Sequence, residues 1–129
     1  MRNRSERGAV SVEFAAALPL VAVSMLLVAQ IGLLVAQQVT VQHAAREGAR
    51  VAAVSNDDDA ARDAALRAGN LDAERADVVI DPTTRAVGDP VRVTVRYHPG
   101  LMPLVGSFIA SDFQLTATVQ MRTERAVDG

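Results

Sequence analysis

The sequence predicts an α+β protein: a long N-terminal transmembrane helix continues into a small extracytoplasmic domain with a short second helix and a three-stranded antiparallel sheet. Three observations lead to this prediction. Residues 14–36 contain no charged side chain and no histidine. Residues 41–53 place small side chains at helical spacing, and two later segments alternate apolar with polar side chains. A chain of 129 residues leaves room for one small domain beyond the apolar run.

The uncharged run at residues 14–36 is long enough to cross a bilayer. As a helix it would measure about 34 Å, because each residue adds about 1.5 Å. Ser24 and Gln30 are its clearly polar side chains, and membrane helices tolerate Pro19 and Gly32. A buried helix of a soluble protein is the alternative, but an uncharged run above about 18 residues is typical of a spanning helix. We therefore expect a single-pass membrane protein.

The cations around the apolar run predict its orientation. Arg2, Arg4 and Arg7 precede the run, and the next cation after it is Arg46. The positive-inside rule then puts the N-terminus in the cytoplasm and everything after the run outside, with the protein in the cytoplasmic membrane. A cleaved secretory signal would have a shorter apolar region ending at a small-x-small site, whereas here Leu34 stands where a small residue belongs. We do not expect cleavage at that end of the run.

The helix is predicted to continue past the membrane, so that it covers residues 9–54. Beyond the apolar run, small residues recur with the i, i+3, i+4 spacing of one helical face, which permits close approach by another helix or a sheet. This packing face consists of Val41, Ala44, Ala45, Gly48, Ala49, Ala52 and Ala53. Two interpretations remain open, packing on the protein's own domain and contact between subunits, and each can apply to a different part of the helix.

Residues 55–129 are predicted to form the outer domain, which begins with a short second helix in SNDDDAARDAALRAGN. Ser55 or Asn56 is expected to cap this helix, and the three aspartates that follow complement the positive end of its dipole. Gly69 is placed to end it. Ion pairs one turn apart are expected at Asp58–Arg62 and Asp63–Arg67.

Beyond residue 70 the pattern changes from helix to strand. Strands are predicted at residues 77–81, 91–98 and 113–122, and the last two alternate apolar and polar side chains cleanly. Such alternation is typical of antiparallel strands with one buried and one wet face. PTTRAVGDP separates the first two strands as a turn, and residues 99–112 are predicted to be a loop with one helical turn. We expect the apolar face of the sheet to lie on the packing face of the long helix.

The remaining composition excludes several classes of function. The chain has no cysteine, so a disulfide or a thiolate metal site is excluded, and its net charge of −2 does not indicate a nucleic-acid partner. His43 and His98 are isolated and lack an acidic partner at ligand spacing. The aspartates at residues 57–59 lack the further oxygen ligands of a calcium loop, so a helix start is the favoured interpretation. We therefore expect neither an enzyme nor a metal or cofactor site.

A short motif lies at the entrance to the apolar run. A basic leader ends at Gly8, and Glu13 stands five positions later, directly before Phe14. This resembles the processing motif of type IV pilins and pseudopilins. Together with AAREGARVAA at residues 44–53, the start RGAVSVEFA resembles the TadE-like family of tight-adherence (Tad or Flp) pilus assembly.

The resemblance implies a minor pilin or pseudopilin with a pilin-like fold. A prepilin peptidase would cut between Gly8 and Ala9 and remove residues 1–8. Membrane lipid, the prepilin peptidase, other Tad pilins and the pilus assembly platform are the implied partners. Phe14 stands where prepilins of this subclass often carry tyrosine. This difference weakens the resemblance to a major pilin more than the resemblance to a TadE-like protein.

Glu13 and Phe14 are then expected to serve subunit assembly. Cleavage would expose the cationic α-amine of Ala9, which can pair with Glu13 of the same or a neighbouring chain and set the axial register. The alternative is a first-turn glutamate stabilised by the helix dipole at headgroup level. A function of another class also stays open: an uncleaved, single-span envelope protein whose outer domain is an interaction module.

Overall fold

A computed structural model of the protein describes residues 4–55, 57–100 and 113–124. Its elements are α1 (Arg4–Ser55), α2 (Asp58–Ala68), β1 (Ala76–Asp81), β2 (Pro90–Tyr97) and β3 (Leu115–Arg122). The predicted α+β class, with a long apolar helix, a short second helix and three antiparallel strands, is confirmed. The chain divides into two compact units, Met1–Val35 and Ala36–Gly129.

The first unit is the apolar part of α1. In the described residues, one helix is long and apolar enough to cross a membrane, with a mean hydropathy of 2.4 in its most apolar window. Only 6% of that window is buried, whereas the core helix of a soluble protein would be mostly covered. Ser24 donates its hydroxyl to the Leu20 carbonyl over 2.8 Å, so this polar group is satisfied within the helix.

The second unit contains a sheet in the order β1-β2-β3, with both pairs antiparallel. The strands lie within one or two residues of their predicted positions, and the largest difference is that β3 begins at Leu115 and leaves Phe113 outside the strand. The turn predicted at PTTRAVGDP connects β1 to β2. The predicted loop at residues 99–112 lies mostly outside the described residues.

The core of this unit forms where the apolar side of the sheet meets the helices. Val91, Val93 and Val95 of β2 are fully buried, and the core joins them to the small residues of α1 and to Ala61 and Ala65 of α2. Alternate residues of each strand point into it, because successive side chains of a strand lie on opposite faces. The predicted contact between the sheet and the packing face of α1 is confirmed.

The start of α2 corrects the predicted cap. Asp57 is the N-cap, and its carboxylate accepts the backbone N–H groups of Asp59 and Ala60 over 3.0 and 3.1 Å. The prediction of Ser55 or Asn56 was wrong, because α1 continues to Ser55, whose hydroxyl donates to the Val51 carbonyl of its own helix. Gly69 ends α2 as predicted.

The ion pairs predicted along α2 were also wrong. Arg62 pairs with Asp59, one position nearer than expected, at 3.1 Å. Arg67 donates to the backbone carbonyl of Asp63 instead of to its carboxylate. Asp58 pairs with Arg85 from the β1–β2 connection. Exposed i, i+4 pairs contribute only about 0.2–0.5 kcal/mol, so the tertiary contact with Arg85 can replace the local pair expected for Asp58.

Candidate functional site: the N-terminal motif and the packing face of α1

The N-terminal motif lies within α1, on an exposed surface. Gly8, Ala9, Glu13 and Phe14 are all exposed, and α1 already runs through the Gly8–Ala9 bond because it begins at Arg4. Phe14, the first residue of the apolar run, is 67% exposed. The motif is therefore an exposed, helical segment that packs on no other described part of the chain.

The fold gives no reason for a glycine at position 8. A Cβ built on Gly8 meets no atom within 4 Å, and the residue has no positive φ. Glycine inside a helix is less stable than alanine by about 1 kcal/mol. Neither the space around Gly8 nor its backbone conformation therefore requires a glycine at this position.

Glu13 has no ion-pair partner among the side chains of residues 8–55, 57–100 and 113–124. Since α1 begins at Arg4, Glu13 lies beyond the first helical turn of the full-length chain. The helix dipole acts mainly within the first turn, so it stabilises this carboxylate little. Glu13 is thus an acidic side chain directly before an apolar run.

The predicted packing face lies in the protein's own core. Ala44, Ala45, Ala49 and Ala52 are fully buried, and Gly48 is buried among them. A Cβ on Gly48 would lie 3.0 Å from the Ala65 Cβ, 3.3 Å from the Ala61 carbonyl oxygen and 3.3 Å from a Val93 methyl group. Of the two interpretations left open by the sequence, the structure shows packing on the protein's own domain.

The next question is whether the described polar side chains of the domain could bind a metal ion. No group of three or more acidic or histidine side chains that could hold a metal ion occurs in the described part of the chain. His43 and His98 are both exposed, and they lie on α1 and after β2 respectively. On the wet face of the sheet, Arg92 and Arg96 make only long contacts of 3.5 Å, to Gln120 and Asp77.

Arg85 is the polar residue that sequence reasoning missed. Its side chain is fully buried, pairs with Asp58, and donates to the carbonyls of Pro82 and Ala52 over 2.9 and 3.3 Å. It therefore joins the end of α1, the start of α2 and the β1–β2 connection. Nothing in the sequence distinguishes Arg85 from the exposed arginines, because Asp58 and Ala52 are distant from it in the chain.

Comparison with known families supports the resemblance carried by the N-terminal motif. Residues 8–50 match the family model described as TadE-like protein. The match begins at Gly8 and covers Glu13, the apolar run and most of the packing face; it does not extend to α2 or the sheet. No curated protein and no solved structure matches the chain. The predicted resemblance to TadE-like proteins is confirmed over this segment, which contains the one described helix that is long and apolar enough to cross a membrane.

Proposed function

We propose that this protein is a minor pilin or pseudopilin that takes part in assembly of a Tad-type pilus. A prepilin peptidase removes residues 1–8 by cutting between Gly8 and Ala9. The mature chain remains anchored by α1 until the assembly platform and other Tad pilins take it up. The observation that carries this proposal is the family match over residues 8–50, which starts at the glycine of the motif.

The structural setting of Gly8 supports a processing site. A glycine that meets no neighbour and needs no special φ is dispensable for the fold. A peptidase, in contrast, needs a flexible residue without a side chain to draw the scissile backbone into its site. We therefore attribute the glycine at position 8 to the requirements of the peptidase and not to those of the fold.

Glu13 fits a role after the cut. Its carboxylate is exposed and has no ion-pair partner among residues 8–55, 57–100 and 113–124, so it can accept a cation from outside the chain. The α-amine of a mature Ala9 is largely cationic near neutral pH. Pairing of this amine with Glu13 of a neighbouring chain neutralises both groups in apolar surroundings and fixes the axial register of the helices.

The processing step is tested by changing Gly8 in cells that carry an active prepilin peptidase. Gly8→Val should keep residues 1–8 attached, because a branched side chain blocks entry of the backbone into the peptidase. Gly32→Val is the matched control: it is the same change in the same helix, and its Cβ also meets nothing within 4 Å. Normal cleavage of Gly8→Val would contradict the proposed site.

The assembly step is tested by three variants of Glu13. Glu13→Gln keeps the shape and loses the charge, so it should be cleaved normally yet assemble poorly. Glu13→Asp keeps the charge on a shorter side chain and should give an intermediate level of pili. Gln30→Glu, as a control, adds a charge elsewhere in the span and should not rescue Glu13→Gln. Wild-type piliation by Glu13→Gln would overturn the pairing.

The uncleaved envelope protein with an interaction domain is the competing function. It uses the same fold but gives Gly8 and Glu13 no shared purpose. A chain that keeps Met1 in the presence of an active prepilin peptidase, and whose function survives both Gly8→Val and Glu13→Gln, would establish this alternative.

A further inference from the structure

We propose that the membrane span of α1 pairs with the span of a second copy of this chain, and that the two Gln30 carboxamides hydrogen-bond each other inside the bilayer. The contact consists of Gln30 and the side chains one helical turn to either side of it, a surface called the Gln30 face below. The proposal goes beyond the pilus function. It depends on α1 as the membrane span and does not depend on cleavage after Gly8.

The first step concerns the hydrogen bonds of the polar side chains in the span. Ser24 and Gln30 are the clearly polar side chains among residues 14–35. Ser24 donates its hydroxyl to the Leu20 carbonyl, so this group is satisfied within the helix. The half-buried Gln30 side chain, in contrast, makes no hydrogen bond to any described residue. A carboxamide has two N–H donors and an acceptor oxygen, and all of them lack a partner here.

The second step is the depth of Gln30 in the membrane. Met25 is the midpoint of the uncharged run at residues 14–36, and Gln30 lies five residues beyond it, about 7.5 Å along the helix axis. The hydrocarbon core extends about 15 Å to each side of its centre. The Gln30 carboxamide is therefore placed in hydrocarbon, where water cannot satisfy it and an unpaired polar group is costly.

The third step identifies the side chains around Gln30. The positions three and four residues away on either side share its face of the helix, and all of them are leucine: Leu26, Leu27, Leu33 and Leu34. The first three of these are exposed, and the last is half-buried. Leucines around one polar position are the pattern by which two parallel helices interlock their side chains. The Gln30 face is therefore shaped for a second helix.

The partner is a second copy because a carboxamide complements itself. Its oxygen accepts while its NH₂ group donates, so two Gln30 side chains related by a two-fold axis form reciprocal hydrogen bonds. Two copies inserted in the same orientation carry Gln30 at the same depth, whereas a helix of another sequence would need its own polar group at that depth. A single polar pair in an apolar contact also fixes the register of the two helices.

The other side of the same helix supplies matched control positions. Successive residues turn by about 100°, so Val28 lies about 160° around the helix from Gln30, and Ser24 lies about 120° from it. Both residues line a groove together with Leu20 and Val21, and Gln30 does not line this groove. Changes at Ser24 or Val28 should therefore leave a contact through the Gln30 face intact.

The first experiment measures pairing in vesicles by energy transfer. The chain has no cysteine, so one cysteine added after Gly129 carries either a donor or an acceptor dye. Both labelled forms of the full-length chain are reconstituted in phosphatidylcholine–phosphatidylglycerol vesicles, and energy transfer is followed as the lipid-to-protein ratio rises. Gln30→Leu removes the carboxamide, Gln30→Asn keeps a carboxamide, and Ser24→Ala is the matched control because its hydroxyl is satisfied within the helix.

We expect Gln30→Leu to raise the dissociation constant of the dimer about three- to thirty-fold, the range for an interhelical hydrogen bond in a membrane. Gln30→Asn should retain most of the affinity, and Ser24→Ala should retain all of it. The proposal is wrong if Gln30→Leu pairs as tightly as the unaltered chain. It is also wrong if the unaltered chain shows only the energy transfer of random encounters, or if the chain does not float with the vesicles.

The second experiment identifies the face of the helix by disulfide formation in oxidised membranes. Leu34→Cys places a thiol on the Gln30 face, and Val28→Cys places one on the other side. Val28 is 70% exposed and Leu34 is half-buried, so accessibility alone would favour linkage at position 28. We expect Leu34→Cys to form linked dimers, to lose most of them when combined with Gln30→Leu, and Val28→Cys to form few. Preferential linkage at Val28→Cys would overturn the proposal.

Discussion

Arg85 and Asp58 form an ion pair at 2.8 Å that joins a loop between two strands to the first turn of α2. The Arg85 side chain is fully buried, while a quarter of the Asp58 side chain remains exposed. The same guanidinium donates to the Ala52 carbonyl in the last turn of α1. One side chain therefore links two helix ends: it donates to a carbonyl in the last turn of α1 and lies at ion-pair distance from the first residue of α2.

Replacing Arg85 should destabilise the outer domain strongly. Arg85→Met keeps the apolar stem but leaves Asp58 and two carbonyl groups without their donor, which costs about 2–4 kcal/mol. Urea titration of the detergent-solubilised protein, read by pulse proteolysis, measures this change. Arg92→Met is the matched control on the wet face of the sheet and should shift stability by less than about 0.5 kcal/mol. Equal stability of the two variants would show that the buried pair does not hold the domain together.

A side chain at Gly48 should disrupt the packing of α1 on α2 and the sheet. Gly48→Val would put its branches into the space occupied by Ala65 and Val93, and overpacking of this kind costs about 1–3 kcal/mol. Gly32→Val, in the same helix but with open space around its Cβ, should leave the stability of the domain unchanged. The same urea titration distinguishes them, and a Gly48→Val variant as stable as Gly32→Val would contradict the close approach.

Removing the N-cap of α2 should have a smaller and more local effect on stability. Asp57→Ala removes the acceptor for two backbone N–H groups and should lower stability by about 1 kcal/mol. Asp63→Ala removes a carboxylate from the same helix without touching the cap and should be nearly neutral. Amide hydrogen exchange in the first turn of α2 should accelerate only in Asp57→Ala; acceleration in both variants would point to a general charge effect.

The sequence predicted those parts of the fold that depend on periodicity. The uncharged run, the small-residue face around Gly48 and the alternation in β2 each follow from how often side chains return to one face. Details that depend on distant contacts were not predictable. Asp58 has an arginine four positions along its own helix, yet it pairs with Arg85. This pair could not be predicted, because only tertiary folding brings the β1–β2 connection to the start of α2.

For the candidate site, too, the sequence predicted the positions of the residues but not their surroundings in the folded chain. The sequence contained Gly8 and Glu13 with their spacing, but could not show that Gly8 has open space around it. Conversely, the small residues of α1 suited either a subunit contact or the protein's own core, and the choice required the positions of α2 and the sheet. The periodicity of the small residues identifies which face of α1 is packed. What packs against that face depends on the tertiary structure.

The membrane orientation is a separate prediction. Arginines before the apolar run should hold the N-terminus in the cytoplasm and place the unit Ala36–Gly129 outside. Protease added to intact spheroplasts should digest an epitope tag after Gly129 and spare a tag before Met1. The reverse pattern would show that the domain is cytoplasmic and would remove it from contact with other pilus subunits.

The mass of the mature protein tests the central claim most directly. The full-length chain is expressed with an active prepilin peptidase, extracted from the membrane, and analysed by intact-mass and N-terminal peptide mass spectrometry. A parallel culture with a catalytically inactive peptidase serves as the control. Processing as proposed predicts a chain that begins at Ala9 only in the first culture, lighter by the residues Met1 to Gly8. A chain that begins at Met1 in both cultures would contradict the account and leave an uncleaved membrane protein.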